Sequence, residues 1–264
     1  MSDDSELKEE SKDDGANGSR RLGIYFLPNL FTTASIFGGF YAIIAAMNHH
    51  FSHAAFAIIL AMICDSLDGR VARLINAQSL FGAHYDSLSD LVSFGVAPAL
   101  VLYNWSLIHL ARYGFEKIGW LSAFLYVACV ALRLAKFNSM SQDTPEAKRY
   151  FFGLPCPAPA GLVATLIWFA EDVHASGILF DVGVTLLTIV LALLMVSNIK
   201  YRSFKDVKMT DRVRFISTIV IVLVIILIAL EPLVLFPIAC LYVLSGPIGG
   251  VLRWRKSHAK TSVC

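Results

Sequence analysis

Long apolar segments alternate with short polar ones along most of the 264-residue chain. A helix needs about 20 mostly apolar residues to cross a bilayer. The pattern predicts an all-α polytopic membrane protein with about eight transmembrane helices, at 28–48, 51–74, 86–111, 118–139, 157–171, 178–197, 213–231 and 233–252. The seventh is the clearest, because residues 215–230 contain no charged side chain. The fifth is short, and the nearby Pro155, Pro157 and Pro159 predict an irregular start.

Composition and the chain ends agree with this class. Charged residues make up 16% of the chain, against roughly 25% in an average soluble domain. A net charge of +2 excludes a strongly basic nucleic-acid binder, so no nucleic-acid partner is expected. Residues 1–21 predict a disordered acidic cytoplasmic tail, and residues 255–264 a short basic one. The acidic start is unlike a signal peptide, so the first apolar segment should remain as an anchor.

The positive charges predict the orientation in the membrane. If the N-terminus is cytoplasmic and the chain crosses eight times, 20 of the 22 Lys and Arg residues face the cytoplasm, and Arg112 and Lys117 remain outside. Cytoplasmic loops of membrane proteins are enriched in such residues. We therefore predict an integral protein of the cytoplasmic (inner) membrane, with both termini and the charge cluster described next on the cytoplasmic side.

A compact charge cluster interrupts the apolar segments. Residues 22–111 contain six charged side chains, all within positions 65–90: Asp65, Asp68, Arg70, Arg73, Asp86 and Asp90. The spacings i, i+3 and i, i+4 place each Asp pair on one helix face, so four carboxylates can converge from two helices. Carboxylates alone suit Mg²⁺ or Mn²⁺, and four of them suit a two-metal site for phosphoryl displacement. An inert salt-bridge network and a cation-transport site are the alternatives.

The cluster also carries a family pattern. It resembles the signature of the CDP-alcohol phosphotransferases at every position: Asp65-x2-Asp68-Gly69-x2-Ala72-Arg73-x8-Gly82-x3-Asp86-x3-Asp90. The resemblance implies a membrane enzyme that moves a substituted phosphate from a CDP-linked donor to an alcohol and releases CMP. It also implies a catalytic six-helix bundle, here residues 22–210, followed by two additional transmembrane helices within 211–254. Homodimers are typical of this family.

The resemblance further implies residue roles. Asp65, Asp68 and Asp86 would hold one divalent cation, and Asp65, Asp86 and Asp90 a second. Asp90 would also be the general base. The residues expected to line the nucleotide and diphosphate site are Gly69, Ala72, Arg73 and Gly82, with Asn29 and Thr32 from the first helix. For the last two, helix capping and polar packing are equally open readings.

Three further segments bear on the acceptor alcohol. Residues 131–138, 151–161 and 197–205 resemble the integral-membrane phosphatidylserine synthases, which use CDP-diacylglycerol and L-serine. The expected contacts to serine or a headgroup are Arg133, Lys136, Asn138, Tyr201, Arg202 and Lys205. The cations among them can equally be membrane anchors. Sister enzymes that use glycerol 3-phosphate, inositol phosphate or choline are the nearest alternatives.

Overall fold

The computed structural model of the protein describes residues 29–75, 79–139, 150–197, 199–202 and 235–247. The helices there are α1 (Asn29–Met47), α2 (Phe51–Leu74), α3 (Leu80–Asp90), α4 (Ala97–Trp105), α5 (Glu116–Ser139), α6 (Pro157–Asp172), α7 (Ile178–Val196) and α8 (Leu235–Pro247). A π-helical turn (Leu91–Val96) joins α3 to α4, and a 3₁₀ segment (Leu107–Tyr113) follows α4. Two short strands, β1 (Tyr150–Phe152) and β2 (Lys200–Arg202), pair antiparallel with Phe151 opposite Tyr201.

Four helical segments in this part of the chain are long and apolar enough to cross a membrane: Asn29–Met47, Leu80–Tyr113, Glu116–Ser139 and Ile178–Val196. They correspond to the predicted first, third, fourth and sixth spans. Helix α2 has 24 residues but carries four of the six charges of the cluster, and α6 has 16 residues. Most of the predicted seventh and eighth spans lies outside the described residues. The helical membrane architecture is therefore confirmed, and the number of eight spans stays a prediction.

Two local features differ from the sequence-based expectation. The third helix begins at Leu80 instead of near residue 86, because the Ser79 side chain accepts a hydrogen bond from the Gly82 backbone N–H and caps the helix. Asp86 therefore lies in the second turn of a helix and not at its start. The second difference is the β1–β2 ribbon, a short strand pair beside the helices of the described part of the chain.

Small residues bring α1 very close to its neighbours. A Cβ on Gly39 would lie 2.8 Å from the Cα of Ser93 in the π-helical turn, so only glycine fits there. Close approach through small residues is a common way to pack membrane helices, because lipid provides no hydrophobic drive between them. The same contact is hydrogen bonded, since the Ser93 hydroxyl donates to the Ser35 carbonyl at 3.0 Å. Helix α1 is thus fixed against the helix that carries Asp86 and Asp90.

The remaining helices form pairs around a buried core. Helix α5 packs mainly on α7, and α2 mainly on α6. Large buried side chains such as Tyr126, Phe94 and Ile167 fill the interior. Many large apolar side chains point outwards instead, for example Leu179, which is 87% exposed. An apolar exterior of this extent is expected where lipid replaces water as the solvent.

Candidate active site

Carboxylates from α2 and α3 meet at one end of the helix bundle. One carboxylate oxygen from each of Asp65, Asp68 and Asp86 lies within 4.8 Å of the other two. The Asp90 carboxyl group is in hydrogen-bonding contact with that of Asp65, and its Oδ1 is buried without a partner among the described residues. The structure thus brings together all four acids that the sequence singles out.

Positive side chains do not neutralise this cluster in the part of the chain that the structure describes. No Lys or Arg nitrogen there lies within 4.0 Å of any of the four carboxylates. Arg73 is exposed, and its Nε donates to the Gly69 carbonyl at 2.8 Å. The inert salt-bridge network therefore finds no support. Clustered like charges without cationic partners are the electrostatic environment in which a divalent cation binds.

The donor set fits such a cation. All four groups are carboxylates, the hard oxygen ligands that Mg²⁺ and Mn²⁺ prefer. The buried, unpartnered Oδ1 of Asp90 adds an acceptor that the surrounding protein leaves unsatisfied, and buried acceptors are normally satisfied. The chemistry of the cluster therefore matches a divalent-cation site.

Helix α1 holds the carboxylates in position through Thr32. The Thr32 hydroxyl donates to Asp68 Oδ2 at 2.8 Å, and Ser89 Oγ donates to the Thr32 carbonyl at 3.2 Å. Both Thr32 and Asp68 are buried, at 4% and 5% exposure. For Thr32, the sequence left open a nucleotide contact, helix capping or polar packing. This contact supports polar packing, because the Thr32 side chain orients the Asp68 carboxylate. Ser89, which the sequence reasoning missed, completes the link.

A π-helical turn begins immediately after Asp90. Such turns insert an extra residue into an α-helix and are frequent at functional sites. Ser93 and Phe94 within it are fully buried, the former against α1. The turn thus fixes the position of Asp90 relative to both α1 and the rest of its own helix.

The residues expected around the nucleotide lie close to the acids along the chain or at the start of α1. A Cβ on Gly69 would have no neighbour within 4 Å, so a ligand has room to approach the α2 backbone. A Cβ on Gly82 would lie 3.8 Å from Asn29 Oδ1, which brings the start of α1 next to the first turn of α3. Ala72 is half-buried on α2, one turn after Asp68. These residues lie on the two helices that carry the carboxylates and on α1.

The residues expected to contact serine or a headgroup lie in different surroundings. Arg133 on α5 lies close enough to Asp90 for a favourable charge interaction, and its Nη1 donates to the buried Cys156 thiol at 3.0 Å. Asn138 Nδ2 donates to Ser87 Oγ at 3.0 Å, while Lys136 is exposed near the end of α5. Tyr201 and Arg202 lie in β2, and only their backbone is described. Lys205 lies outside the described residues.

A groove of about 280 Å³ separates α3 from α5 next to these residues. Leu88, Leu91, Ala131 and Leu134 form most of its wall, and its polar residues are His84, Ser87 and Asn138. Sequence reasoning missed this groove and the Cys156 contact, because each depends on residues brought together from separate helices. For Cys156 the only signal was its position in the irregular stretch before α6.

Comparison with known proteins agrees with this geometry. The family model for CDP-alcohol phosphatidyltransferases matches residues 25–196, and the chain belongs to that family. This confirms the family predicted from the carboxylate signature.

Individual relatives carry a more specific name. A CDP-diacylglycerol–serine O-phosphatidyltransferase from Helicobacter pylori is 37% identical over 233 residues, which cover 88% of this chain and 92% of the relative. Enzymes of the same name from Bacillus subtilis and Mycobacterium tuberculosis are 36% and 41% identical over 180 and 175 residues. Those two alignments cover 68% and 64% of this chain, and 92% and 59% of the relatives.

Proposed function

We propose that the protein transfers the phosphatidyl group of CDP-diacylglycerol to the hydroxyl of L-serine, giving phosphatidylserine and CMP. The observation that carries this proposal is the convergence of four carboxylates without a cationic partner among the described residues. Family membership favours a transferase over the cation-transport alternative. The names of the relatives support serine as the acceptor. The alignment with the Helicobacter pylori enzyme covers 92% of that enzyme's length.

Asp65, Asp68, Asp86 and Asp90 would hold two divalent cations, Mg²⁺ or Mn²⁺. When bound, the cations would neutralise the diphosphate of the donor and stabilise the CMP leaving group. Thr32 keeps the Asp68 carboxylate turned towards the cluster through its 2.8 Å hydrogen bond. Outer contacts of this kind orient metal ligands and strengthen binding.

Asp90 is the proposed general base. Its Oδ1 is buried and unpartnered in the described structure, so it is free to accept a proton from the serine hydroxyl. The serine oxygen then forms a bond to the phosphorus of the phosphatidyl group, the bond from that phosphorus to CMP breaks, and its electron pair leaves with CMP. Asp90 carries the serine proton after the transfer.

Arg133 is the proposed contact for the serine carboxylate. It combines a charge interaction with Asp90 and a buried Nε that has no hydrogen-bond partner among the described residues. A guanidinium binds carboxylates well because its donors match their geometry. The nucleotide would bind over the open face of Gly69, with Gly82 and Asn29 as further contacts, and Arg73 would approach its phosphates. CDP-diacylglycerol would arrive laterally from the cytoplasmic leaflet and serine from the cytosol.

Purified protein in detergent or vesicles tests this function directly. We expect CMP release and phosphatidylserine formation from CDP-diacylglycerol plus L-serine with Mg²⁺ or Mn²⁺, and no reaction in EDTA. A panel of glycerol 3-phosphate, inositol phosphate and choline identifies a different acceptor if one of them reacts faster. Absence of CMP release with serine and either metal would overturn the serine assignment.

Orientation and assembly complete the proposal. Both termini and the site would face the cytoplasm, since 20 of the 22 Lys and Arg residues then lie on that side. We expect a homodimer, as is typical of the resembling family. Labelling of introduced cysteines in intact and opened cells tests the first point, and mass measurement in detergent tests the second.

A further inference from the structure

Arg133 is a half-buried cation that forms no direct ion pair with an acidic side chain among the described residues, although its charge acts on Asp90 from farther away. No carboxylate there lies within 4.0 Å of it, and its Nε is buried without a hydrogen-bond partner. Buried cations are normally paired, because an unpaired one is expensive to bury. An arginine left in this condition beside Asp90 is suited to receive an anionic group from a ligand.

The one hydrogen bond described for this guanidinium goes to sulfur. Arg133 Nη1 lies 3.0 Å from the Sγ of Cys156, a side chain that is 0% exposed. Burial raises the pKa of this thiol to about 11, despite the opposing effect of Arg133, so the group is uncharged at neutral pH. A neutral thiol is a weak acceptor. It can therefore fix the direction of the guanidinium without cancelling the positive charge.

The backbone that carries Cys156 is itself held in place. Gly153 adopts φ +80°, a conformation that favours glycine, and its N–H donates to the Ile199 carbonyl at 2.9 Å. The Leu154 N–H donates to the Leu194 carbonyl at 3.2 Å at the end of α7. Pro157 then begins α6 directly after the cysteine. The thiol is therefore a fixed point between α5, α6 and α7.

A second unsatisfied group lies on the same side of α5. Tyr126 is seven residues before Arg133, which places the two side chains on one helix face. Its hydroxyl is fully buried without a hydrogen-bond partner in the described structure, and it interacts electrostatically with Cys156. Unsatisfied buried polar groups in native proteins call for an explanation, and a bound ligand is one. The Arg133 guanidinium and the Tyr126 hydroxyl thus both lie near the Cys156 thiol.

We propose that Cys156 is a positioning residue that holds the Arg133 guanidinium in the direction needed to bind the carboxylate of the acceptor amino acid beside Asp90. This inference rests on the proposed function, because it takes an amino acid as the acceptor. Cys156 itself does not touch the reacting atoms. It acts through Arg133, so its loss should weaken acceptor binding more than it slows the chemical step.

Two substitutions separate this role from simple packing. Cys156→Ala removes the sulfur that accepts the hydrogen bond from Arg133. We expect the KM for L-serine to rise about tenfold, while kcat and the KM for CDP-diacylglycerol stay within about twofold. Cys156→Ser keeps an acceptor of similar size and should restore the KM for serine to within about threefold of wild type. Cys129→Ala is the matched control. It removes another buried thiol, from α5, and should leave the KM for serine within about twofold.

A double variant and a binding measurement complete the test. If Cys156 acts through Arg133, Cys156→Ala should have little further effect in an Arg133→Lys background. L-Serine should raise the thermal unfolding temperature of wild type and Cys156→Ser, and do so only at higher serine concentrations for Cys156→Ala. The unfolding curve without serine reports whether each variant is folded.

The outcomes distinguish this inference from the proposed function. If wild-type protein forms no phosphatidylserine, the function itself is wrong. If wild type is active and Cys156→Ala has an unchanged KM for serine, lowers only kcat, or behaves like Cys156→Ser, the positioning role is wrong and the function stands. Equal increases in both KM values would also overturn it, because they would indicate general loss of packing.

Discussion

Two groups of buried or partly buried carboxylates lie at opposite ends of the helical segment Leu80–Tyr113, and they differ in how they are satisfied. Near its end, Ser106 Oγ donates to Asp181 Oδ1 at 2.6 Å, and His109 Nδ1 lies 3.7 Å from the same oxygen. Trp105 Nε1 donates to Glu171 Oε1 at 2.8 Å. Near its start, four aspartates mainly face one another, and Thr32 is the one side-chain hydroxyl donating to them among the described contacts.

The difference separates a structural use of carboxylates from a chemical one. Asp181 and Glu171 each accept a hydrogen bond from a side chain at the end of α4. These two acids therefore stabilise the contacts between α4, α6 and α7. The cluster near the start retains like-charge repulsion and an unpartnered oxygen. Such an arrangement costs stability and persists where binding or catalysis requires it. Each of the following predictions changes one of the two groups.

The largest effect is expected for Asp90→Asn. An amide cannot take the proton from serine, and general-base groups typically contribute about 10²–10⁴-fold. We expect kcat to fall by about 10³-fold, while metal-dependent binding of CDP-diacylglycerol persists. CMP release in steady state and donor binding to the purified variant are the two measurements. Near-normal turnover would remove Asp90 from its proposed role.

Asp65→Asn should separate activity from stability. Loss of a proposed ligand that lies within 4.8 Å of Asp68 and hydrogen-bonds with Asp90 should reduce activity by roughly 10²-fold or more at fixed Mg²⁺. In EDTA the same variant should unfold about 2–4 °C higher than wild type, because one of the repelling charges is gone. Thermal unfolding with and without metal measures this. A lower unfolding temperature in EDTA would mean that the acids stabilise the metal-free fold.

Thr32→Val tests the contact from α1 with a smaller change. The variant keeps the shape of the side chain and removes the donor to Asp68 Oδ2. We expect the concentration of Mg²⁺ or Mn²⁺ needed for half-maximal activity to rise about tenfold, with a smaller change in activity at saturating metal. Thr185→Val on α7 is the control, since that buried hydroxyl donates to the Asp181 carbonyl, away from the cluster.

Asp181→Asn should have the smallest effect on activity. Asp181 is 6% exposed and bonded to Ser106, so the substitution weakens one charge-assisted hydrogen bond. We expect a loss of about 1–2 kcal/mol of stability and turnover within about twofold of wild type. Denaturant unfolding and the CMP assay check the two parts. If turnover instead fell as it does for Asp90→Asn, the contrast between the two groups would be wrong.

Sequence periodicity predicts much of this arrangement. Spacing alone places Asp65 and Asp68 on one helix face and Asp86 and Asp90 on another, because helical neighbours recur every three or four residues. The predicted helix at 51–74 agrees with Phe51–Leu74, and that at 178–197 with Ile178–Val196. The second of these is apolar along almost its whole length, and the first is apolar up to Asp65, where the charges of the cluster begin.

Other features depend on contacts that spacing does not contain. The start of α3 at Leu80 follows from the Ser79 cap, which a count of apolar residues ignores. The role of Thr32 depends on its contact with Asp68, 36 positions later, and the Arg133–Cys156 contact joins residues 23 positions apart. The β1–β2 ribbon pairs segments about 50 residues apart. Tertiary packing decides each of these.

The π-helical turn after Asp90 has a consequence for how this enzyme tolerates change. One inserted residue shifts the phase of the following helix by about 100°. Asp86 and Asp90 lie before this turn, and the buried Val101 and Trp105 lie after it. The turn therefore decides which direction the second pair faces relative to the first. Deleting a single residue from Leu91–Val96 would leave the hydropathy of the segment almost unchanged. It would nevertheless turn either the acids away from α2 or the core away from its neighbours, so the number of residues in this turn is constrained as well as the side chain of Ser93.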